Sequence, residues 1–373
     1  MISKEKIFTI GLVGGGSGGP LTPLLAVREA ILKKRPQTRF LYFGGESPPE
    51  ARLLKGMDVS AFKIPAGKWR RYLSFKNFFD IFLVLAGFIK SLLILIKHRP
   101  DAIFSAGSYV AVPVAYAAKI LGIRVIIHQQ DVIPTFSNRL ISPIADKITA
   151  SIPKSLKDFN AQSGLFKPRK SEKTAFTGNP VREAVLSGVK SRAITEFGLS
   201  PDLPTLLVLG GGIGAKSLNQ LIRKSLSELT KTFQIIHVTG SGHTENFNNY
   251  PNYHPWDFLG DNFPDAFAAA DLIVSRAGFS TISEIIACEK ISILVAIPHS
   301  QQEANALYLF NKGAAIAYPQ NTLSPKFLSD SLRKLLFDER TRNQMKKNLR
   351  KLKTKGASAA VADIIIKLAE KND

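Results

Sequence analysis

The stretch that decides the fold reads DLIVSRAGFSTISEIIACEKISILVAIPHSQQEAN and covers residues 271–305. Residues 272–274 and 291–297 are short apolar runs of the kind that form buried parallel strands. A glycine-containing turn and a helical pattern lie between them, and Ser280 or Thr281 is suited to cap that helix. The stretch therefore predicts a β-α-β unit, and open parallel sheets bind ligands at the edge where such a helix begins.

Glu284 lies near the start of the helix in this stretch, and its carboxylate has two interpretations. A negative charge close to a helix N-terminus stabilises the helix through the backbone dipole, which requires no ligand. A carboxylate at the same position can also accept hydrogen bonds from two hydroxyl groups of a sugar ring. The spacing alone leaves both interpretations open.

The chain has 373 residues, of which 45% are hydrophobic and 21% are charged, and this favours a globular protein with two domains. Its single cysteine, Cys288, excludes an internal disulfide and a cysteine-rich metal site. The N-terminal apolar run is too short for the core of a signal peptide with a cleavage site, so we expect a cytoplasmic protein.

The charge balance is strongly basic. The 50 lysines and arginines exceed the 29 aspartates and glutamates, and the formal net charge is +21. Such a charge favours an anionic partner, which can be nucleic acid, an anionic membrane or a phosphate-bearing substrate. The sequence has neither zinc-finger spacing nor the aromatic signature of an RNA-binding domain, so we expect no nucleic-acid partner.

Two glycine-rich stretches each follow an apolar run and precede a helical pattern. Residues 14–20 read GGGSGGP after the run 7–13, and residues 210–215 read GGGIGA after the run 205–209. Glycine lets the backbone adopt positive φ and approach a phosphate closely. The repetition of this unit predicts an α/β protein with two Rossmann-like domains that face each other across a cleft.

Residues 152–175 are rich in Lys, Ser, Pro and Gly and show no clear periodicity. This composition is typical of a boundary between domains. We therefore predict a first domain over residues 1–160, a second domain over residues 161–357, and a final amphipathic helix over residues 358–371.

A possible membrane contact lies within residues 67–97. Its basic and aromatic residues are Trp69, Arg70, Arg71, Tyr72, Phe75, Lys76 and Phe79. Residues 81–96 are almost wholly apolar apart from Lys90, and a membrane-spanning helix needs about 20 apolar residues. We predict a core helix flanked by an amphipathic segment on an anionic membrane surface. A buried helix with ordinary exposed charges is the alternative.

Several motifs resemble a known family. The residues R-A-G-x-S-T-x-x-E at 276–284, Q-Q-x-x-N-A at 301–306 and G-N-P-V-R at 178–182 are similar to the donor-site motifs of the MurG family of peptidoglycan glycosyltransferases. The resemblance implies the GT-B architecture, with the final helix returning to the first domain. It also implies inverting transfer of N-acetylglucosamine from UDP-N-acetylglucosamine to the muramoyl 4-hydroxyl of undecaprenyl-diphosphate-linked muramoyl pentapeptide. The enzyme would then lie peripherally on the cytoplasmic face of the plasma membrane.

The resemblance assigns roles to individual residues. Glu284 would hold the ribose hydroxyls of the donor, Leu259 would lie against the uracil, and Arg182 would approach the diphosphate. Gln301 and Gln302, together with Asn305, would hold the donor sugar. The complete set of donor residues that the resemblance implies is Ser17, Gly18, Gly19, Asp131, Arg182, Gly212, Leu259, Phe279, Ser280, Thr281, Ile282, Ser283, Glu284, Gln301, Gln302 and Asn305.

The chain departs from the family pattern at three positions. Pro20 replaces a histidine of the first glycine loop that is proposed to assist the acceptor hydroxyl, and proline carries no titratable group. Gly212 replaces a serine, and Asp131 replaces an asparagine. The catalytic candidates are therefore His128, as an acid–base group or a structural histidine, and Asp131, as a replacement base or a neutral change.

No metal ion or other cofactor is expected. Glycosyltransferases of a second architecture bind a metal through an Asp-x-Asp motif, and this sequence contains no such motif. The resemblance instead implies that glycine-loop N–H groups, helix dipoles and Arg182 stabilise the negative charge on departing UDP.

Three other functions remain open from the sequence. The first is another GT-B enzyme, either a glycosyltransferase with a different acceptor or a UDP-N-acetylglucosamine 2-epimerase. The second is a membrane-bound binder of nucleotide sugar or lipid without turnover, which Pro20 and Gly212 suggest. The third is a nucleic-acid binder, which the net charge suggests and which would bind unrelated DNA with a steep dependence on salt.

Overall fold

The structure is a computed structural model that describes residues 7–16, 18–45, 47–67, 75–160, 173–211, 214–241, 250 and 252–371, without the side chains of residues 75–79 and 160. The chain divides into two compact units. The first contains Met1–Pro180 and Lys355–Asp373, and the second contains Val181–Thr354.

The first unit is built on a seven-stranded sheet. Its strands are β1 (Thr9–Val13), β2 (Arg39–Gly44), β3 (Ser60–Lys63), β4 (Ala102–Ser105), β5 (Arg124–Gln129), β6 (Lys147–Ala150) and β7 (Thr174–Phe176). Its helices are α1 (Gly18–Lys34), α2 (Pro48–Leu54), α3 (Phe75–His98), α4 (Ala111–Ile120), α5 (Phe136–Ile141) and α6 (Pro153–Asn160), and the last helix of the chain, Ala357–Glu370, also belongs here. The strand order is β3-β2-β1-β4-β5-β6-β7 and every pairing is parallel.

The second unit is built on a six-stranded sheet. Its strands are β8 (Thr205–Leu209), β9 (Gln234–Val238), β10 (Tyr253–Trp256), β11 (Leu272–Ser275), β12 (Ser292–Ala296) and β13 (Ile316–Pro319). Its helices are α7 (Glu183–Leu186), α8 (Lys190–Phe197), α9 (Lys216–Leu229), α10 (Phe263–Ala269), α11 (Phe279–Cys288), α12 (Gln301–Asn311), α13 (Pro325–Phe337) and α14 (Glu339–Leu352), so that the final helix of the chain is α15. The order is β10-β9-β8-β11-β12-β13, again with parallel pairing throughout.

The central strands explain this architecture. Strands β4, β8, β11 and β12 are buried at every residue, which requires helices on both faces of each sheet. The two glycine-rich stretches follow β1 and β8, as the repeated pattern predicts. The prediction of two Rossmann-like α/β domains is therefore confirmed.

The expected boundary after residue 160 is too early. β7 pairs with β6 through Ile148 with Thr174 and Ala150 with Phe176, so the first unit continues to Pro180. This short strand lies in a polar stretch and is held by backbone hydrogen bonds to β6. Its sequence therefore shows no apolar periodicity from which the strand could be predicted.

The final helix, α15, packs on the first unit. Val361 and Ile365 are buried in the same apolar cluster as Leu24 and Val27 of α1. Salt bridges from Lys34 to Asp363 and from Arg35 to Glu370 border this contact. Because these ion pairs are largely exposed, the apolar contact contributes most of the attachment.

The starts of two helices differ from the expectation. α1 begins at Gly18, so Gly18, Gly19 and Pro20 form its first turn, where proline lacks only an N–H that has no helical partner. α11 begins at Phe279 with Gly278 at the N-cap, so the prediction that Ser280 or Thr281 caps this helix is wrong.

The helix α3 is not the core helix that the sequence predicts. Its exposed large apolar residues are Ile81, Phe82, Leu83, Leu85, Ile89, Leu93 and Ile96, and Leu93 is 63% exposed. The segment Asp80–His98 has 19 residues and is long and apolar enough to cross a membrane by length and composition alone. The apolar residues of α3 form an exposed face of the protein. Apolar composition alone could not predict this, because it is the same for a helix buried in the core and for a helix whose apolar face contacts another partner.

Candidate active site

The second unit brings three connecting segments to one edge of its sheet. They follow β8, β11 and β12, which are neighbours and parallel, so their carboxyl ends lie side by side. The segments are the glycine loop that begins at Gly210, the turn from Arg276 to Gly278, and the loop from Ile297 to Ser300. Each one leads into a helix whose N-terminus therefore opens at this edge.

Glu284 is a buried carboxylate at this edge. It lies in the second turn of α11 and is 4% exposed. Within the described part of the chain its carboxylate makes no hydrogen bond, and Arg182 is its charged neighbour. Burial raises the pKa of Glu284 to about 7, and the positive charge of Arg182 opposes this rise. A buried acid in the second turn does little for the helix dipole, so this geometry favours binding of a ligand over helix stabilisation.

Arg182 is held beside Glu284 at the start of α7, where it occupies the N-cap position. Its Nε atom is buried and has no hydrogen-bond partner among the described residues. The Glu284 carboxylate and the Arg182 Nε atom therefore lie on neighbouring charged side chains, and neither makes a hydrogen bond to a described residue. A ligand with hydroxyl or phosphate groups would supply these bonds.

The N-terminus of α11 has no side-chain cap. Gly278 has no side chain to cap the helix, so the positive end of the helix dipole lies at this edge of the sheet, where it favours an anion. Ser280 and Thr281 lie half-buried in this first turn, whereas Ile282 is fully buried in the core. Ser283 donates from Oγ to the Phe279 carbonyl at 2.7 Å, which strengthens the same turn.

The loop before α12 is tightly bonded. Ser300 accepts from the Gln302 N–H at 3.2 Å and caps the helix, while Gln302 Oε1 accepts from the Ile297 N–H at 3.4 Å. His299 has a positive φ of 57°, and Glu303 accepts its N–H at 3.1 Å. These bonds fix the first turn of α12, where Gln301 and Gln302 are half-buried.

Asn305 lies deeper than a direct sugar contact would require. It is fully buried, and its Nδ2 donates to the Ala277 carbonyl at 3.1 Å. This bond joins α12 to the turn before α11, so Asn305 supports the relative placement of two segments of the site.

Three further predicted donor residues have different outcomes. Leu259 is buried and directly precedes a 3-10 turn over Gly260–Asn262. Gly212 and Ser17 lie outside the described residues.

Arg276 opens the motif at residues 276–284, and its side chain makes several hydrogen bonds. It is 6% exposed, and its guanidinium donates to the Val295 carbonyl, to Ser217 Oγ and to Gln320 Oε1. Its position directly after an apolar strand was the available signal, because polar residues at strand ends line the ligand-binding edge of such sheets.

In the first unit, Glu50 organises the surroundings of the first glycine loop. Its Oε1 accepts from Tyr42 Oη at 2.8 Å and from the Gly45 N–H at 3.3 Å, and its Oε2 accepts from the Ser47 N–H at 2.5 Å. Burial and the neighbouring carboxylate raise the pKa of Tyr42. Gly15 packs against this cluster with a φ of 151°, and a Cβ there would meet Val110 at 2.8 Å.

Of the two roles considered for His128, acid–base group and structural histidine, its surroundings favour the structural one. It is fully buried, and its Nδ1 lies 2.8 Å from Thr149 Oγ1. Its Nε2 lies 2.9 Å from Asn179 Oδ1 and 3.1 Å from Ser151 Oγ. Since an amide oxygen only accepts, Nε2 carries the proton and Nδ1 accepts from Thr149.

These bonds argue against His128 as a catalytic group. Burial lowers the pKa of His128 to about 4, although the hydrogen bond with Asn179 opposes this effect. A histidine with both nitrogens occupied and no exposed surface cannot reach an acceptor hydroxyl. The ring instead ties β5 to the segment that precedes the second unit.

Asp131 follows β5 at a half-buried position. Gln129 Nε2 donates to the Asp131 carbonyl at 2.8 Å and to the Ile133 carbonyl at 3.0 Å. Ser155 also donates to the Asp131 carbonyl, at 3.1 Å. The backbone at Asp131 is therefore fixed from two sides, and Asp131, unlike the fully buried His128, is a partly exposed residue.

Comparison with known proteins extends over most of the chain. Residues 10–150 match the N-terminal domain of glycosyltransferase family 28, and residues 205–364 match the C-terminal domain of that family. A relative from Clostridium kluyveri is 34% identical over 341 residues, which cover 90% of this chain and 93% of the relative. A relative from Clostridium perfringens strain SM101 is 32% identical over 369 residues, which cover 98% of this chain and 99% of the relative. Both are named UDP-N-acetylglucosamine–N-acetylmuramyl-(pentapeptide) pyrophosphoryl-undecaprenol N-acetylglucosamine transferase.

Solved structures share the fold. MurG from Acinetobacter baumannii has a TM-score of 0.68 at 24% identity and covers 96% of this chain and 99% of its own. A UDP-N-acetylglucosamine 2-epimerase from Neisseria meningitidis has a TM-score of 0.71 at 14% identity and covers 96% of this chain and 100% of its own. The likeness establishes the GT-B architecture, and the sequence matches identify the group within it. The chain therefore belongs to the MurG family of family 28 glycosyltransferases, as the resemblance of its motifs predicted.

Proposed function

We propose that this protein transfers N-acetylglucosamine from UDP-N-acetylglucosamine to undecaprenyl-diphosphate-linked muramoyl pentapeptide, as its curated relatives are named to do. The observation that carries the proposal is the buried Glu284 carboxylate, which lacks a hydrogen bond among the described residues. A buried carboxylate without donors is costly, and two vicinal hydroxyls of a ribose would supply the missing donors.

The donor would bind along the edge formed by β8, β11 and β12. Glu284 holds the ribose, and the uncapped N-terminus of α11 and Arg182 face the diphosphate. Gln301 and Gln302 offer amide groups to the sugar at the start of α12. Leu259 borders the uracil. Each group is a fixed donor or acceptor on a rigid element, which is what orientation of a substrate requires.

The reaction is a single inverting displacement. The acceptor 4-hydroxyl oxygen forms a bond to the anomeric carbon while the bond from that carbon to the UDP oxygen breaks. UDP leaves with the electron pair, and N–H groups at helix termini and Arg182 stabilise its negative charge without a metal ion. The hydroxyl proton passes to a base. Pro20 has no group for that task and His128 is buried, so we assign it to Asp131.

The first unit would contact the membrane that carries the lipid-linked acceptor. The exposed apolar face of α3, from Ile81 to Ile96, suits the boundary between headgroups and acyl chains. Lys90 and Lys97 interrupt or follow this face and would attract anionic lipid. The residues Trp69, Arg70, Arg71 and Tyr72 lie outside the described residues, and the side chains of Phe75, Lys76 and Phe79 do as well.

The first experiment measures UDP release from UDP-N-acetylglucosamine in the presence of a metal chelator, with and without an analogue of the lipid-linked muramoyl pentapeptide acceptor. Acceptor-dependent, chelator-resistant release supports the transferase. Release without acceptor supports a hydrolase or a hydrolysing epimerase. Conversion of the donor to UDP-N-acetylmannosamine without net release of UDP supports a non-hydrolysing epimerase, and donor binding with neither change supports a non-catalytic binder. Asp131→Asn should lower kcat by about a hundredfold with little change in the KM for the donor, because general-base catalysis contributes on the order of 10²–10⁴.

The membrane contact has its own test. Leu93→Glu places a charge on the exposed face of α3 and should abolish co-sedimentation with anionic phosphatidylglycerol vesicles. Phe337→Glu is the matched control, since Phe337 is 73% exposed in the second unit. Equal loss of binding in both variants, or in neither, would contradict a specific role for α3.

A further inference from the structure

Arg276 is a buried cation whose partners are all neutral. Its Nη1 donates to the Val295 carbonyl at 3.1 Å, and its Nη2 donates to Ser217 Oγ at 2.7 Å and Gln320 Oε1 at 2.5 Å. Its Nε is buried and makes no hydrogen bond to any described residue. Burial lowers the pKa of the Arg276 guanidinium, and among the described residues no carboxylate lies at ion-pair distance.

Such an arrangement is unfavourable without a ligand. A buried charge loses its free energy of hydration, and hydrogen bonds to neutral acceptors compensate for only part of that loss. Buried cations in proteins are normally paired with an acid or with a bound anion. The described residues supply no acid at Arg276, so the missing partner fits an anion that binds at this edge of the sheet.

Arg276 also fastens both ends of the second glycine loop. Its backbone N–H donates to the carbonyl of Leu209, the last residue of β8, at 3.2 Å. Its side chain donates to Ser217, in the first turn of α9. Ser217 in turn donates to Gln320 at 2.7 Å, so three side chains form a closed triangle. The loop between these anchors begins with Gly210 and Gly211.

The helix that follows the loop points to the same ligand. α9 has 14 residues, and its N-cap, Ala215, offers no side-chain hydrogen bond to the first N–H groups. A glycine loop, an uncapped helix N-terminus and a cation without a counter-ion therefore adjoin one another. Together they match a diphosphate better than a neutral sugar or a base.

We propose that Arg276 is a positioning residue that holds the end of β8 and the start of α9 in place on either side of the second glycine loop and keeps a positive charge beside them for the diphosphate of the donor. This inference rests on the proposed function. As the bond from the anomeric carbon to UDP breaks, negative charge grows on the departing phosphate. A cation already desolvated by the protein stabilises that charge without reorganisation. Arg276 acts on the ligand through its field and through the loop, whereas Arg182 would contact it.

The test neutralises the charge without removing the residue. Gln320→Glu places a carboxylate in the position of the amide, where it accepts from Arg276 and Ser217 with nearly the same shape. Dissociation constants of UDP, UMP and uridine are then measured for the full-length protein. UDP binding should weaken on the order of tenfold, whereas uridine, which carries no phosphate, should bind unchanged.

Gln320→Ala is the control for the hydrogen bonds, because it removes the bonds that residue 320 accepts from Arg276 and Ser217 and adds no negative charge. The ratio of uridine to UDP dissociation constants should stay near the value of the unchanged protein in this variant and fall only in Gln320→Glu. Equal ratios in all three proteins, with UDP bound tightly, would overturn the role of the Arg276 charge. A ratio that falls equally in both variants would assign the effect to the hydrogen bonds of residue 320 and would likewise overturn the role of the Arg276 charge.

Failure of the proposed function gives a different result. If the unchanged protein binds UDP no better than uridine, the donor assignment itself is wrong and this inference falls with it. A thermal unfolding curve for each variant accompanies the binding data. Unchanged uridine affinity together with an unchanged or raised Tm in Gln320→Glu shows that the site remains folded.

Discussion

Glu284 and His128 are both buried titratable residues beside the carboxyl end of a parallel sheet, and their surroundings are opposite. Both nitrogens of His128 are hydrogen-bonded to Thr149, Ser151 and Asn179. Glu284 has no hydrogen bond within the described residues and only Arg182 as a charged neighbour. A satisfied buried group serves the fold, whereas an unsatisfied one marks the place of a ligand.

The largest expected effect is that of Glu284→Ala on donor binding. Loss of hydrogen bonds to a charged acceptor should raise the dissociation constant for UDP-N-acetylglucosamine by at least about a hundredfold. Isothermal titration calorimetry measures it, with Glu339→Ala, an exposed acid of the same unit, as the control. Donor affinity within threefold of the unchanged protein would show that Glu284 serves only the fold.

His128→Ala should act on stability instead. The variant leaves Asn179 and Thr149 without their buried partner, and the free energy of unfolding should fall by about 2 kcal/mol. Urea unfolding measures the loss. Under conditions where the variant remains folded, the KM for the donor should stay unchanged. A large fall in kcat with no loss of stability would restore a catalytic role for the histidine.

The pH dependence of donor binding sharpens the contrast. Burial raises the pKa of Glu284 to about 7, and only the ionised carboxylate accepts two hydroxyl hydrogen bonds. Donor affinity should therefore fall by about tenfold per pH unit as the pH drops below 7. Glu284→Gln should remove this dependence. The same acid profile in Glu284→Gln would assign the titration to another group.

The smallest expected effect is that of the His128 pKa on the stability of the protein in acid. The pKa of His128 is lowered to about 4 from its usual 6.5, so the folded state binds a proton less readily than the unfolded state. The stability that depends on neutral His128 is fully present above pH 6.5 and is lost as the pH falls through 4. His128→Asn should flatten the decrease in Tm between these values. An unaltered slope would show that other groups dominate acid unfolding.

Much of the fold followed from local patterns. The runs at residues 7–13, 205–209 and 272–274 and the glycines after the first two predicted parallel strands with ligand loops, because apolar content and turn chemistry are local properties. β7 escaped prediction because its place depends on pairing with β6 and not on its own composition.

The candidate site was predictable in residue type but not in environment. Spacing and resemblance named Glu284, Arg182 and Gln301, yet they also named His128 as a catalytic candidate. Only the structure separates these residues, because the partner of His128 lies 51 positions away at Asn179. Arg276 was overlooked as a site residue for the same reason, since Gln320 lies 44 positions away.

The sequence by itself determined the two glycine-loop units, the alternation of strand and helix, the basic charge and the membership of a glycosyltransferase family. These properties reside in neighbouring residues and in residue types. The tertiary structure decided which buried polar groups are satisfied and which are not, and which apolar helix face remains uncovered. Hydrogen bonds and burial depend on residues brought together from distant parts of the chain, and local sequence patterns do not predict such long-range contacts.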